Sequence, residues 1–242
     1  MKTFRFALTI AGAVLALVGV VPAAHATPPP DPDPGVAPMI IGGGQATNAP
    51  WAARMFFNGQ QRCSATIIAP RYILSARHCV GSPASAHTFR IGSLDQFAGG
   101  TMATGVAVFR HSTADLAIVQ LDRSVSATYS PLGTTSNVAV GQTVQIYGWG
   151  ATCTNQPEIN CQSRTLKFAN VRVTSVNARD AFGGIAVQAT RIDGIAAGGD
   201  SGGPMFGSGR QVGVASTSNR STVTNYTNIT RYRSWIASVA GV

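Results

Sequence analysis

The residues Gly199-Asp200-Ser201-Gly202-Gly203-Pro204 set one serine among glycines and beside a carboxylate. Glycines allow a tight turn and a close backbone approach, and successive amides facing one pocket can receive an oxyanion. A hydroxyl nevertheless needs a base before it can attack anything. Two other segments supply what it lacks. Ser75-Ala76-Arg77-His78-Cys79 follows the apolar run Tyr72-Ile73-Leu74, and Asp115 opens the apolar segment from Leu116 to Leu121. Base, orienting carboxylate and nucleophile are the parts of an acyl-transfer site, here in the order His78, Asp115, Ser201. Gly-Asp-Ser alone arises by chance in many chains; the three segments together rarely do.

Short runs rich in β-branched and apolar residues could position them: 65–68, 72–74, 88–91, 106–109 and 116–121, then 143–147, 166–173, 185–192, 211–215 and 224–229. Gly, Pro, Asn and Ser punctuate these runs and no long helical pattern intervenes, so the chain reads as all-β. Residues 122–137 show little apolar periodicity and divide the strands into two similar sets, about 40–121 and 138–242, each long enough to close a small barrel. Only the last twelve residues read as helix. There Tyr232, Trp235, Ile236 and Val239 form one apolar stripe able to dock on a barrel.

The N-terminus carries Lys2 and Arg5, an apolar stretch from Phe6 to Val21 and the small-x-small site Ala24-His25-Ala26. This pattern predicts an export signal over 1–26, with no membrane attachment after its removal. The Pro-rich stretch 27–39 cannot form a core and reads as a propeptide. The formal charge is +9, but its basic residues are scattered without runs or an interleaved aromatic platform, which argues against nucleic acid. No Cys-x-x-Cys or paired His/Cys spacing suggests a metal, and Asp95 is the only carboxylate between Arg90 and Gly105, so no calcium loop is expected. No cofactor is expected either. Asn219, Asn225 and Asn228 begin glycosylation sequons.

With Ile40-Ile41-Gly42-Gly43, Cys63-Ser64-Ala65-Thr66, Gly148-Trp149-Gly150 and the final Tyr232-Arg233-Ser234-Trp235-Ile236, the chain resembles the chymotrypsin-like (trypsin-like, S1) serine endopeptidases. Among them it looks closest to the secreted bacterial members. The resemblance spans 40–242 and implies two six-stranded antiparallel β-barrels with the site in the cleft between them. It implies His78, Asp115 and Ser201 as catalytic residues and the amides of Gly199 and Ser201 as the oxyanion hole. It also implies a newly freed Ile40 ammonium paired with Asp200 after cleavage behind Met39. The four cysteines of this exported chain allow three pairings. The resemblance, like nearness, implies Cys63–Cys79, which would hold the histidine turn. Nearness pairs Cys153 with Cys161.

By the same resemblance Ile195 lies at the base of the specificity pocket, Ser216, Thr217 and Ser218 line the substrate edge, and Thr224 stands on the wall. An aliphatic base gives Arg or Lys no counter-charge, so small to medium apolar residues are expected there. Ala197 replaces a usual cysteine. Arg77 stands where most of the family has a small residue, and its side chain is expected to point outward; His111 is expected to pack or lie on the surface. Protein and peptide substrates, a proteinaceous inhibitor and a monomeric state complete the expectation. A catalytically silent cationic binding protein on the same fold is the alternative. An esterase is a third reading, disfavoured because Gly199 and Gly203 flank Ser201 at Gly-x-Ser-x-Gly spacing only by chance.

Overall fold

The computed structural model describes Met1 and residues 40–242. The expected export signal and propeptide fall, Met1 aside, outside the described residues. Strands β1 (Ile41–Gly42) and β2 (Gly44–Gln45) come first. Six strands follow: β3 (Ala52–Phe57), β4 (Gln60–Ala69), β5 (Tyr72–Ser75), β6 (His87–Ile91), β7 (Thr101–Arg110) and β8 (Ala117–Leu121). They close a barrel in the order β3-β4-β5-β8-β7-β6. The remainder comprises β9 (Thr143–Gly148), β10 (Lys167–Arg179), β11 (Ile185–Arg191), β12 (Gly194–Ile195), β13 (Pro204–Gly207), β14 (Arg210–Ser218) and β15 (Val223–Asn228). Here the order is β11-β15-β14-β13-β9-β10, and a β10–β11 pairing closes the second barrel.

Alternation along the strands explains the closure. Val144 and Ile146 of β9 are buried while Thr143 is exposed and Gln145 and Tyr147 are half-buried; in β6 His87, Phe89 and Ile91 point inward and Thr88 and Arg90 outward. Period-two burial leaves each sheet one apolar face, and rolling that face inward also removes the open strand edges.

The first closed barrel draws its strands from 52–121. Residues 40–45 join the other barrel instead: β1 pairs with β12, and β2 with β10. Burial accounts for this, because the Ile40 side chain is fully enclosed in the cluster that holds Ile146, Val171 and Tyr226. Between β8 and β9, residues 122–142 carry only the short 3-10 turn Thr135–Asn137.

The C-terminal helix α1 (Arg233–Ala240) ends at Gly241 in the left-handed region, whose amide donates to the Ala237 carbonyl. Ile236 is buried, and Tyr232, Trp235 and Val239 pack with it against the cluster of the first barrel. The stripe read in the sequence is therefore the docking face. Among the described residues no helix is long and apolar enough to cross a membrane.

Both disulfides expected by nearness are present, Cys63–Cys79 and Cys153–Cys161. The first is buried in the barrel core and ties β4 to the 3-10 turn Arg77–Cys79 that bears His78. Its sulfurs lie close to the His78 ring nitrogens, but sulfurs joined to each other are not available as thiolate ligands. Replacing Cys63 and Cys79 together by alanine should lower unfolding stability by about 3 kcal/mol, the loop-closure entropy of a bridge of this span. Equilibrium urea unfolding measures it; an unchanged midpoint would show that the bridge does not constrain the unfolded chain.

Candidate active site

Register brings His78 to Asp115. In the β5–β8 ladder Leu74 lies opposite Ile118 and Ser75 opposite Ala117, so the chain leaving β5 and the chain entering β8 meet at one end of the barrel. The Asp115 carboxylate there takes two bonds from one residue: the His78 amide at 2.9 Å and the His78 Nδ1 at 2.7 Å. With Asp115 ionised, Nδ1 carries the proton and Nε2 is left bare, the tautomer a general base requires.

A third donor to that carboxylate is the Ser216 hydroxyl, at 2.6 Å from Oδ2. Burial pushes the Asp115 carboxyl up, but the His78 hydrogen bond and charge, helped by Ser216 and the His78 amide, outweigh it and hold the group below its ordinary value. Behind it lies a carboxylate that sequence reasoning missed. Asp180 accepts from the Asp115 amide at 2.9 Å, from the Thr227 hydroxyl at 2.9 Å and from the amides of Phe182 and Gly184. No local motif announces its link to the site, because Thr227 and Asp115 lie 47 and 65 residues away.

Ser201 reaches the same place from the second barrel. Its carbonyl accepts from the Ser64 amide of β4 at 2.9 Å, while Gly202 and Gly203 exchange bonds with Ala215 of β14. His78 and Ser201 both line a cavity of about 280 Å³. Among the described residues the Ser201 hydroxyl makes no hydrogen bond, to His78 or elsewhere. Such contacts tighten when substrate excludes water from the groove.

The loop before the serine has a defined orientation. The Gly198 carbonyl accepts from Ala151 N at 2.8 Å, and in a planar trans peptide the following amide, that of Gly199, must point the opposite way. Gly199 holds φ at +99°, which a side chain would oppose. Among the described residues neither the Gly199 nor the Ser201 amide has an acceptor. Asp200 instead turns inward: Oδ1 accepts from Gly150 N at 2.7 Å and Oδ2 from Ala197 N at 2.9 Å. The carboxylate lies so close to Gly150 that a Cβ there would collide with it, which gives the Gly148-Trp149-Gly150 segment its physical reason. Burial pushes the Asp200 carboxyl up to about 7, against the pull of these amides and of the Arg54 charge.

The cavity is lined by Ala196, Ala197, Gly198, Ala215, Ser216, Thr217, Ser218, Arg220 and Thr224 besides His78 and Ser201. Ile195 is not among them. It is fully buried in β12 opposite Ile41, so Ala196 and Ala197 face the cavity where the sequence reading set Ile195. Ser216, Thr217, Ser218 and Thr224 do contribute, with Ser216 also engaged by Asp115. The Thr224 hydroxyl is spent on the Thr217 carbonyl at 3.1 Å. Arg220, unforeseen in the sequence, is paired with Glu158, whose other contact is the Gly198 amide at 3.1 Å. That pair, more than burial, holds the Glu158 carboxyl below its ordinary value.

Arg77 donates to the carbonyls of His111 and Ser112 at 3.0 and 2.8 Å and covers the Phe182 ring at 4.4 Å, so its charge is engaged away from the imidazole. His111 packs against Tyr232 and Trp235. Of the sequons, Asn228 is buried and its amide donates to the Val176 carbonyl, which closes that position to a glycan in the folded chain.

Two closed barrels, with imidazole and serine at one cavity and a buried carboxylate on the far nitrogen of the imidazole, define a chymotrypsin-like serine protease scaffold. The chain belongs to the trypsin family, whose sequence profile matches residues 40–236. Trypsin alpha of Drosophila erecta is 31% identical over 94% of this chain and 97% of its own length. Human heparin binding protein superposes with a TM-score of 0.73 at 25% identity, covering 83% of this chain and 96% of that one. A scabies mite inactivated protease paralogue shares the fold with a TM-score of 0.74 at 20% identity, over 83% and 97% of the two chains. Trypsins of Drosophila are among the curated relatives, and the closer likeness to bacterial members expected from the motifs finds no support in them.

A carboxyl whose folded-state value is raised holds its proton more tightly folded than unfolded. The stability Asp200 contributes is therefore complete below 3.8 and lost as pH rises through about 7. Asp115, being depressed, acts oppositely and only at acid pH. In the chain still joined to residues 27–39, the melting temperature should fall across the Asp200 window, and Asp200→Asn should flatten that fall. A constant offset between the two melting curves at every pH would refute the assignment.

Proposed function

We propose that the chain is a secreted serine endopeptidase acting through an acyl-enzyme. The observation that carries this reading is that His78, doubly bonded to the buried Asp115, lines one cavity with Ser201. In this reading Ser201 attacks the peptide carbonyl while His78 Nε2 takes its proton and later delivers it to the leaving amine. Asp115 keeps the imidazole in the required tautomer and offsets the charge it gains. The outward amides of Gly199 and Ser201 receive the oxyanion; such donors are worth about a hundredfold or more in rate each. Peptide and protein substrates are the ligands, and a proteinaceous inhibitor fits the same groove.

Export follows from the N-terminal pattern, and maturation from a cut between Met39 and Ile40. The freed Ile40 ammonium would then add a positive charge near the enclosed Asp200 carboxylate, which burial disfavours as an anion. The cavity would also admit the Met39 side chain, so the chain itself is a candidate for making that cut.

The lining offers no carboxylate to a P1 Arg or Lys, and its one guanidinium, Arg220, is already held by Glu158. Burying a substrate cation unpaired is costly, whereas Ala, Val, Leu or Met gains by desolvation. This separates the chain in specificity from the trypsins it resembles.

A peptide library should show cleavage after Ala, Val, Leu or Met at least about a hundredfold faster than after Arg or Lys, a margin a missing counter-charge can supply. Thr224→Gly should widen acceptance toward Phe and Tyr; a parent that prefers Arg would overturn the pocket assignment.

Ser201→Ala should lose hydrolysis by about a millionfold and accumulate uncut at Met39–Ile40. Clean processing of the alanine variant would assign the cut to another protease. A matured parent that neither hydrolyses peptides nor reacts with a fluorophosphonate would instead favour the cationic binding protein, a reading consistent with the net charge of +9.

A further inference from the structure

Arg54 of β3 is fully buried. Its three nitrogens each meet an oxygen: Nε donates to Gln96 Oε1 at 2.9 Å, one Nη to the Gly199 carbonyl at 3.2 Å and the other to Gln162 Oε1. Among the described residues no carboxylate is hydrogen-bonded to it. The opposing charge that acts on it is that of Asp200, enclosed beside it, and Arg54 in turn favours the ionised form of Asp200. A guanidinium is an expensive group to bury, and desolvation lowers this one to about 9. Three hydrogen bonds and a neighbouring anion are what make its burial tolerable.

The place it holds is specific. Arg54 lies opposite Ser64 in the β3–β4 ladder, and the Ser64 hydroxyl donates to the same Gly199 carbonyl at 2.9 Å. One cross-strand pair of the first barrel thus clamps the Gly199–Asp200 peptide of the second. Gln162, which accepts from Arg54, also reaches the Gly198 carbonyl at 3.5 Å. The peptides on either side of Gly199 are therefore held, and with them the direction of the Gly199 amide.

We propose that Arg54 is a resident cation beneath the oxyanion loop, gripping the Gly199 carbonyl and facing Asp200, so that the chain is catalytically competent before any cut at Met39. This rests on the serine endopeptidase reading. In it the freed Ile40 ammonium reinforces a loop that Arg54 already holds, and a precursor competent in this way is what self-processing requires. Arg54 touches neither substrate nor the reacting atoms; it is a positioning residue.

The test uses the full secreted chain with Met39→Pro, its uncut junction verified by intact mass, against the matured parent beginning at Ile40. Uncut chain should hydrolyse a small ester and label at Ser201 with a fluorophosphonate within about tenfold of the matured rate, far less than the loss of an oxyanion donor. Adding Arg54→Met should lower kcat of the uncut chain by about a hundredfold with KM little changed, while Arg54→Lys retains most of it. Arg54→Met in a chain with natural Met39, cut by added parent enzyme, should recover to within about tenfold of the matured parent as the new ammonium takes over. An inert uncut chain beside an active matured parent overturns the proposal, and that arm needs no Arg54 variant to fold. Equal kcat in uncut chains with and without Arg54→Met overturns it as well. An inert matured parent is a separate result, since it removes the endopeptidase reading itself.

Discussion

A carboxylate sealed inside a protein must be met by donors or charge, and the Asp200 carboxylate imposes that demand on the whole region between the barrels. Its two oxygens take the amides of Gly150 and Ala197, which draws the Gly148-Trp149-Gly150 turn and the 196–199 loop together. Gly150 has to lack a side chain because the carboxylate occupies that space. Trp149, next to it, is buried with Ala46, Ala52 and Leu166, so the packing of the turn and the satisfaction of the anion reinforce each other. The outward direction of the Gly199 amide is the other side of the same arrangement. What faces in decides what faces out.

The two buried aspartates of the site show how environment, not residue type, sets the charge state. Asp115 receives an imidazole, a hydroxyl and an amide, and these outweigh burial. Asp200 receives two amides and a cation that does not bond it directly, and burial wins. One is held toward its ionised form beside the imidazole; the other is pushed by burial toward its neutral form. Asp180 extends the first case by one layer, anchoring the Asp115 backbone from β10's end and from Thr227 of β15. The carboxylate that orients His78 is thus fixed by both barrels.

Much of this was legible along the chain. The strand runs, the divide after Leu121, the apolar stripe of α1 and the cysteine pairs all arise from neighbours in sequence, where periodicity and spacing carry the information. His78, Asp115 and Ser201 were legible as candidates because each stands in a distinctive local segment. Arg54, Gln162, Glu158 and Asp180 were not. Arg54 reads along the chain only as one of the scattered basic residues, and the arrival of Gly199, 145 positions later, encloses it. Ile195 was misplaced for a related reason: its position was inferred from distance to Ser201, while its side chain follows the β1–β12 pairing.

The amino-acid sequence by itself determined the all-β character, most of the strand runs and the candidate groups for acyl chemistry, because these depend on side-chain pattern and local backbone freedom, while β3 and β13 escaped it. The tertiary structure alone decided which charges are buried, what satisfies them and which alanines and threonines line the cavity. Those properties depend on distances between segments far apart in the chain, and no local pattern encodes a distance across a cleft.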